Sequence, residues 1–300
     1  MSLVRESALP LPLLRRGKVR DTYDLGSVLL MVATDRISAF DVVLPSLIPD
    51  KGKVLNRISA FWFEKTAHVM PNHLVSVVTD VAQLLPFLPP GTTPPPYIVG
   101  RSMLVKKALV LPVECVARGY LYGSAWEEYQ EKGEAFGHTL PSGLREAEKL
   151  PRPLFTPTTK AEIGHDQPLT IPALSRIVGA QQARKLEEET VAIYLLAQEY
   201  ALGRGVIIAD TKFEFGLTPE GLLLIDELLT PDSSRFWDAQ TYQPGGSQFS
   251  WDKQPVRDFL TASGWNRQPP ASSLPPEIVE ETSRRYKEGY LRLTGRRLED

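Results

Sequence analysis

Residues 205–227 are the stretch that most narrows what this chain can become. Two apolar runs, GVIIADTKFEF and GLLLIDE, flank Leu217-Thr218-Pro219-Glu220, a cluster of turn formers, and this pattern predicts a β-hairpin. Strand side chains alternate, so Asp210, Lys212 and Glu214 share one face while Thr211, Phe213 and Phe215 share the other. With the turn centred near Pro219, Asp226 lies opposite Lys212 and diagonal to Glu214. A slip of one residue would move Asp226 to the other face. Two carboxylates beside an ammonium suit Mg²⁺ held against nucleotide phosphates, because magnesium takes oxygen ligands and commonly uses one or two carboxylates plus phosphate. A solvated ion pair across a sheet edge is the alternative reading.

The rest of the chain supplies a frame for this hairpin. GKVRDTYDLGSVLLMVATD, residues 17–35, reads as a second hairpin turning at Asp24-Leu25-Gly26-Ser27. From Gly52 onward, Val54, Leu55, Ile58, Phe61, Trp62 and Lys65 recur at helical spacing. The proline-rich spans 85–96 and 267–276 predict irregular connections. A domain boundary near Glu114 gives a β-rich N-terminal lobe, 1–114, and an α+β C-terminal lobe, 115–300. Ser124 and Glu127 have capping-box spacing. Residues 133–171 read as loop, 183–200 as a long helix stopped by Gly203 and Gly205, and 278–293 as a closing helix.

Composition sets limits on function. The 300 residues are 42% hydrophobic and 23% charged, enough for a large core. A net charge of -2 excludes the global basic excess of an electrostatic nucleic-acid binder, so any anion site must be a local cluster. The single cysteine, Cys115, cannot form an internal bridge, and apolar runs such as Val28 to Ala33 are far short of the ~20 residues a membrane helix needs. These features predict a soluble cytoplasmic protein without membrane or nucleic-acid partners.

Five further clusters can carry chemistry. Lys18, Arg20 and Thr22 share a strand face beside a glycine turn; they either roof a phosphate chain or protect an exposed edge. ATDRISAFD, residues 33–41, places Asp35, Ser38 and Asp41 just past an apolar strand, where a sheet delivers side chains to a cleft, or forms an Asx-type turn. Asp232, Ser233, Ser234 and Arg235 leave the second hairpin with donors suited to phosphate or carboxylate, or form an ordinary loop. Arg118, Tyr120 and Ser124 precede a helix whose free amides favour an anion. Lys160, Glu162 and Asp166 sit in a long low-apolar loop, read as a binding loop or as disorder. No P-loop, complete dinucleotide fingerprint or nucleophile-elbow motif is present, and His68, His73, His138 and His165 make no zinc pattern.

Taken together and in order, GKVRDTYDLG, ATDRISAFD, GKVLNRIS, VECVARGYLYGSAW, PTTKAE with HD, DTKFEFG and IDELLTPDSSRFWD resemble the motifs of the SAICAR synthetase family, phosphoribosylaminoimidazole-succinocarboxamide synthases, from residue 17 to about 260. The resemblance implies a two-lobed kinase-like or ATP-grasp-like α+β fold with nucleotide between the lobes. It implies ATP-dependent joining of 5-amino-1-(5-phosphoribosyl)imidazole-4-carboxylate (CAIR) to the amine of L-aspartate through an acyl phosphate. By the same resemblance, Lys18 and Arg20 contact ATP phosphates, Glu214 and Asp226 hold Mg²⁺, and Lys212 neutralises the phosphoryl group. Arg118, Ser124 and Arg235, with Asp232 and Ser234 beside them, bind the ribonucleotide; Asp35, Ser38, Asp41 and Lys160 line the region where the two acids meet. Asp210 is a candidate base, and Val113 with Glu114 the expected adenine edge. The long C-terminal extension resembles longer, monomeric members. A kinase lacks its H-R-D-x-x-x-x-N loop and D-F-G here, and a non-catalytic nucleotide-binding module is the other alternative.

Overall fold

Val19, Asp21 and Tyr23 alternate with Arg20 and Thr22, and folding sorts them accordingly: the first three are buried and the other two half-buried. The computed structural model describes residues 3–160 and 166–298. They divide into two compact units, Met1–Glu64 with Asn72–Ala108 and Asp252–Asp300, and Lys65–Pro71 with Leu109–Trp251. Every strand pairing described is antiparallel, which makes the architecture α+β.

The first unit opens with β1 (Leu13–Arg16), β2 (Arg20–Asp24) and β3 (Val28–Ala33), followed by a separate hairpin of β4 (Arg36–Ala39) and β5 (Val42–Leu47) and by α1 (Lys51–Thr66). With β6 (Leu74–Val77) and β7 (Ser102–Lys106) it completes a five-stranded sheet ordered β1-β2-β3-β7-β6. Gly26 turns between β2 and β3 at φ +83°, its amide donating to Asp24 Oδ1 at 2.8 Å. The expected hairpin forms, but its strand starts at Arg20 and leaves Lys18 in the preceding turn. Of the proline-rich span 85–96, expected as irregular throughout, residues 85–87 and 96 belong to the 3₁₀ turns Val81–Phe87 and Pro96–Ile98, and 88–95 between them are irregular.

The second unit contains β8 (Leu109–Val110), β9 (Val113–Tyr120), α2 (Ser124–Lys132), β10 (Glu134–Ala135), β11 (His138–Thr139), β12 (Lys149–Phe155) and β13 (Thr158–Thr159). It continues with α3 (Ile171–Val178), α4 (Ala180–Leu202), β14 (Val206–Thr218), β15 (Gly221–Ile225) and β16 (Ser234–Asp238). The span 133–171, expected as loop, therefore carries four short strands; backbone pairing to β9 holds β12 and β13, and such pairing needs no apolar pattern. Ser124 does not cap α2. Gly123, at φ +58°, is the N-cap and its carbonyl accepts from the Glu127 amide at 3.0 Å, so Ser124 falls one position inside the helix, exposed. Behind the sheet, α4 buries Ala183, Leu186, Thr190, Ile193 and Ala197 on the predicted stripe, and Tyr194 donates to the Ile208 carbonyl at 2.7 Å.

After residue 251 the chain returns to the first unit as α5 (Gln254–Ala262) and α6 (Pro276–Thr294). Val256, Leu260 and Leu274 bury against Ile37, Ala39, Leu44 and Ile48. The units thus differ from lobes split at Glu114 into 1–114 and 115–300: the first pauses at Ala108, and the apolar faces of 252–300 find their cover on the β4–β5 hairpin.

Candidate active site

Strand β14 is central. β9 and β8 pair along one edge, β16 and β15 along the other, so its polar face cannot be the solvated rim of a sheet. Asp210 is 6% exposed and Glu214 9%. Antiparallel pairing puts Glu114, Val116 and Arg118 of β9 on the same face as Asp210, Lys212 and Glu214. Charges of opposite sign then meet in two groups along one strand.

The first group is carboxylate-rich. Lys212 Nζ donates to Glu114 Oε1 at 2.5 Å, and Lys160 pairs with Glu214. Burial, with the charge of Asp226 adding to it, raises the Glu214 carboxyl above its ordinary value against the pull of Lys160 and Lys212. Glu114 is pushed up to about 7 by burial, opposed by Lys212 and reinforced by Asp166 and Glu214. Burial works against the Lys212 ammonium, but Glu114, Glu214 and Glu227 outweigh it and raise its pKa. Two acids whose charges act on each other beside two lysines make a place that a divalent cation would relieve, and Mg²⁺ bound mainly through phosphates commonly uses one or two carboxylates. Among the described residues no group of three or more His, Cys, Asp and Glu side chains is placed to hold a metal ion by itself.

Asp226 arrives there by a route other than the one expected. The hairpin closes at Thr218 opposite Gly221 and pairs Glu214 with Ile225, one residue away from the predicted register. A continuing strand would turn Asp226 to the Phe213 face. Instead β15 ends at Ile225 and Asp226 takes φ +66°, which turns the chain and leaves its carboxylate close enough to raise the pKa of Glu214.

The second group is a pair of guanidiniums sharing one acid. Asp210 accepts from Arg118 Nη1 at 3.5 Å and from Arg235, its partner across β16. Arg118 Nε donates to Thr156 Oγ1 at 3.0 Å, and its guanidinium lies 4.8 Å from the Phe136 ring; that of Arg235 lies 5.4 Å from Tyr122. Burial lowers the Arg118 pKa, with Asp210 opposing and Arg235 adding to the effect. A Cβ on Gly123 would stand 2.9 Å from Arg235 Nη2, so the start of α2, with Ser124, is beside this pair. Two guanidiniums against one carboxylate leave a net positive charge for an anionic ligand.

Other expected residues are placed differently. Ser234 faces away from Arg235: its hydroxyl lies 2.8 Å from Thr211 Oγ1 in the buried layer, as alternation along β16 requires. Asp232 sits in the Thr230–Ser233 turn, its amide donating to Thr230 Oγ1 at 3.2 Å. The backbone of Val113 and Glu114 pairs with Thr159 and Thr158 of β13, whereas the Glu114 side chain joins the lysine cluster, a role that alternation with Arg118 along β9 could have revealed. Glu162 and His165 lie outside the described residues.

In the first unit, Asp35 is interior. It is fully buried and accepts from Val4 N at 2.8 Å, Gly52 N at 3.0 Å and Arg101 Nη1 at 3.1 Å, fastening the start of α1 and leaving it no face for substrate. Arg36, the arginine of the 33–41 motif, donates to the carbonyls of Arg5, Gly17 and Lys18 and to Asp21, and so pins the turn that carries Lys18. Ser38 is half-buried on β4. Asp41 is exposed at the β4–β5 turn and pairs with Lys18 at 2.5 Å.

The SAICAR synthetase family model matches residues 13–272. Phosphoribosylaminoimidazole-succinocarboxamide synthase of Syntrophobacter fumaroxidans is 51% identical over 299 residues, spanning 99% of this chain and 98% of its own. That of Thioalkalivibrio sulfidiphilus is 50% identical, spanning 98% of each. Among solved structures, the Saccharomyces cerevisiae SAICAR-synthase complexed with SAICAR superposes with a TM-score of 0.88 at 41% identity, covering 98% of this chain and 99% of that one. The Pyrococcus horikoshii SAICAR synthetase, at 23% identity and a TM-score of 0.68 over 93% of this chain and 98% of its own, shares the fold.

Proposed function

This chain belongs to the SAICAR synthetase family, and from that premise we propose how its two charged groups divide the work of the reaction. The reaction is the ATP-dependent condensation of CAIR with L-aspartate, a carbon–nitrogen ligation of purine biosynthesis. A carboxylate is a poor acyl donor because oxide would have to leave. Transfer of a phosphoryl group from ATP makes a mixed anhydride, the aspartate amine attacks its carbonyl carbon, and phosphate departs with the electron pair of the C–O bond.

Glu214 and Asp226 are assigned to holding Mg²⁺, which when bound would supply positive charge to offset that of the phosphates. Lys212, kept charged by Glu114 and Glu214, is assigned to the transferring phosphoryl group, and Lys160 to the neighbouring acid. Arg118 and Arg235, with Ser124, are assigned to the ribonucleotide, and Asp210 to holding the two guanidiniums in place of a role as base. Lys18 and Arg20 are assigned to ATP phosphates, supported by the Arg36 clamp on the Lys18 turn. A monomer in the cytoplasm is the accompanying reading; no described helix is long and apolar enough to cross a membrane, and sedimentation velocity measures the assembly state.

The observation that carries this assignment is a buried Glu214 paired with Lys160 and sharing a strand face with Lys212, with the charge of Asp226 acting on its carboxyl. Glu214→Gln should cut turnover at least ~100-fold while leaving the fold unchanged by circular dichroism. Incubation with ATP, Mg²⁺ and CAIR should give the succinocarboxamide only when aspartate is added. Unchanged turnover in Glu214→Gln would remove the metal assignment.

A further inference from the structure

Arg118 is held from three sides. Asp210 and Thr156 take two edges of its guanidinium, and the ring of Phe136 covers a face. The third contact comes from outside the main sheet, at the tip of the β10–β11 hairpin, where Phe136 has φ +53°. A bulky aromatic residue rarely takes that backbone region, so something must fasten it. Two bonds do. The Phe136 amide donates to Glu128 Oε2 of α2 at 2.9 Å, and His138 Nε2 lies 3.1 Å from the Phe155 carbonyl on β12, whose register partner Ala117 adjoins Arg118. That bond from the Phe136 amide is also the main reason the Glu128 carboxyl titrates below its ordinary range.

We infer that Phe136 is a positioning residue for ribonucleotide binding: held by Glu128, its ring fixes the plane of the Arg118 guanidinium so that its hydrogen-bond donors meet the anionic ligand. This rests on the assignment of Arg118 to CAIR. An aromatic face attracts a guanidinium through its quadrupole, most strongly where water is excluded, and Arg118 is 8% exposed. Without the ring, only the edge contacts to Thr156 and Asp210 would set the pose, and Asp210 is shared with Arg235. Phe136 also packs against the Leu121, Ala125, Leu150 and Leu154 cluster, so a test must separate orientation from packing.

Phe136→Leu retains apolar bulk and removes the aromatic face. The expected result is a rise of about 5- to 30-fold in KM for CAIR, with KM for ATP and the melting temperature nearly unchanged. Phe136→Tyr, which keeps the face, should stay within about 2-fold of the parent. Glu128→Ala, which releases the hairpin tip, should reproduce the selective CAIR defect, and it decides the matter if Phe136→Leu does not fold. Arg118→Lys is the control for the underlying assignment. If it leaves KM for CAIR unchanged, the ribonucleotide reading of Arg118 fails and takes this inference with it. If Arg118→Lys weakens CAIR binding but Phe136→Leu does not, or weakens CAIR and ATP alike together with a lower melting temperature, Phe136 is merely packing and the inference is overturned.

Discussion

Asp35 and Asp41 belong to one short motif, and their surroundings set them apart. Asp35 accepts two amides and a buried guanidinium; Asp41 meets Lys18 in solvent. Asp35→Asn should therefore cost about 3–5 kcal/mol in urea unfolding, because it strands Arg101 in the interior, while Asp41→Asn should stay within about 0.5 kcal/mol. Glu114 supplies a pH signature at the same scale. Its carboxyl titrates at about 7 in the folded chain, above its ordinary 4.5, so its contribution to stability is complete below pH ~4.5 and is lost as pH rises through 7. Without nucleotide, unfolding free energy should fall across that window by on the order of 3 kcal/mol, and Glu114→Gln should flatten the slope in denaturant titrations at stepped pH.

Strand β14 shows what an element contributes beyond its residues. Its alternation was legible in the sequence, down to Asp210, Lys212 and Glu214 on one face, because period two is a property of the backbone. Its register with β15 was not, since Pro219-Glu220 form a two-residue loop and a turn centre is fixed only when the strands pair. The fit of β9 against α4 is similarly exact in its demands. A methyl group on Gly119 would overlap the Tyr194 hydroxyl, so Gly119→Ala should lower stability by roughly 1–3 kcal/mol. Adding Tyr194→Phe should recover part of that loss, measured by thermal or urea unfolding of the double variant. No recovery would mean that the backbone of β9, and not the contact with α4, sets the requirement.

On the scale of the whole molecule, the C-terminal residues belong with the N-terminal ones. Leu260 is 1% exposed in a cluster with Ile37, Leu44 and Ile48, so Leu260→Ala should cost about 2–5 kcal/mol despite its distance in sequence from any strand of that unit. Chemical denaturation reads this directly, and a loss below about 1 kcal/mol would contradict the packing described.

Local chemistry alone determined much here. Helical stripes, strand alternation, proline-rich irregular spans and the motifs of a ligase family depend on neighbours a few positions apart, and all could be read from the order of residues. Which carboxylate serves the interior and which faces a ligand depends on groups far away in the chain: Arg101 and Gly52 claim Asp35, Thr211 claims Ser234, and Lys212 claims Glu114. Those choices, like the left-handed turn that returns Asp226 to Glu214, follow from burial and long-range pairing, and these arise only when the tertiary structure closes.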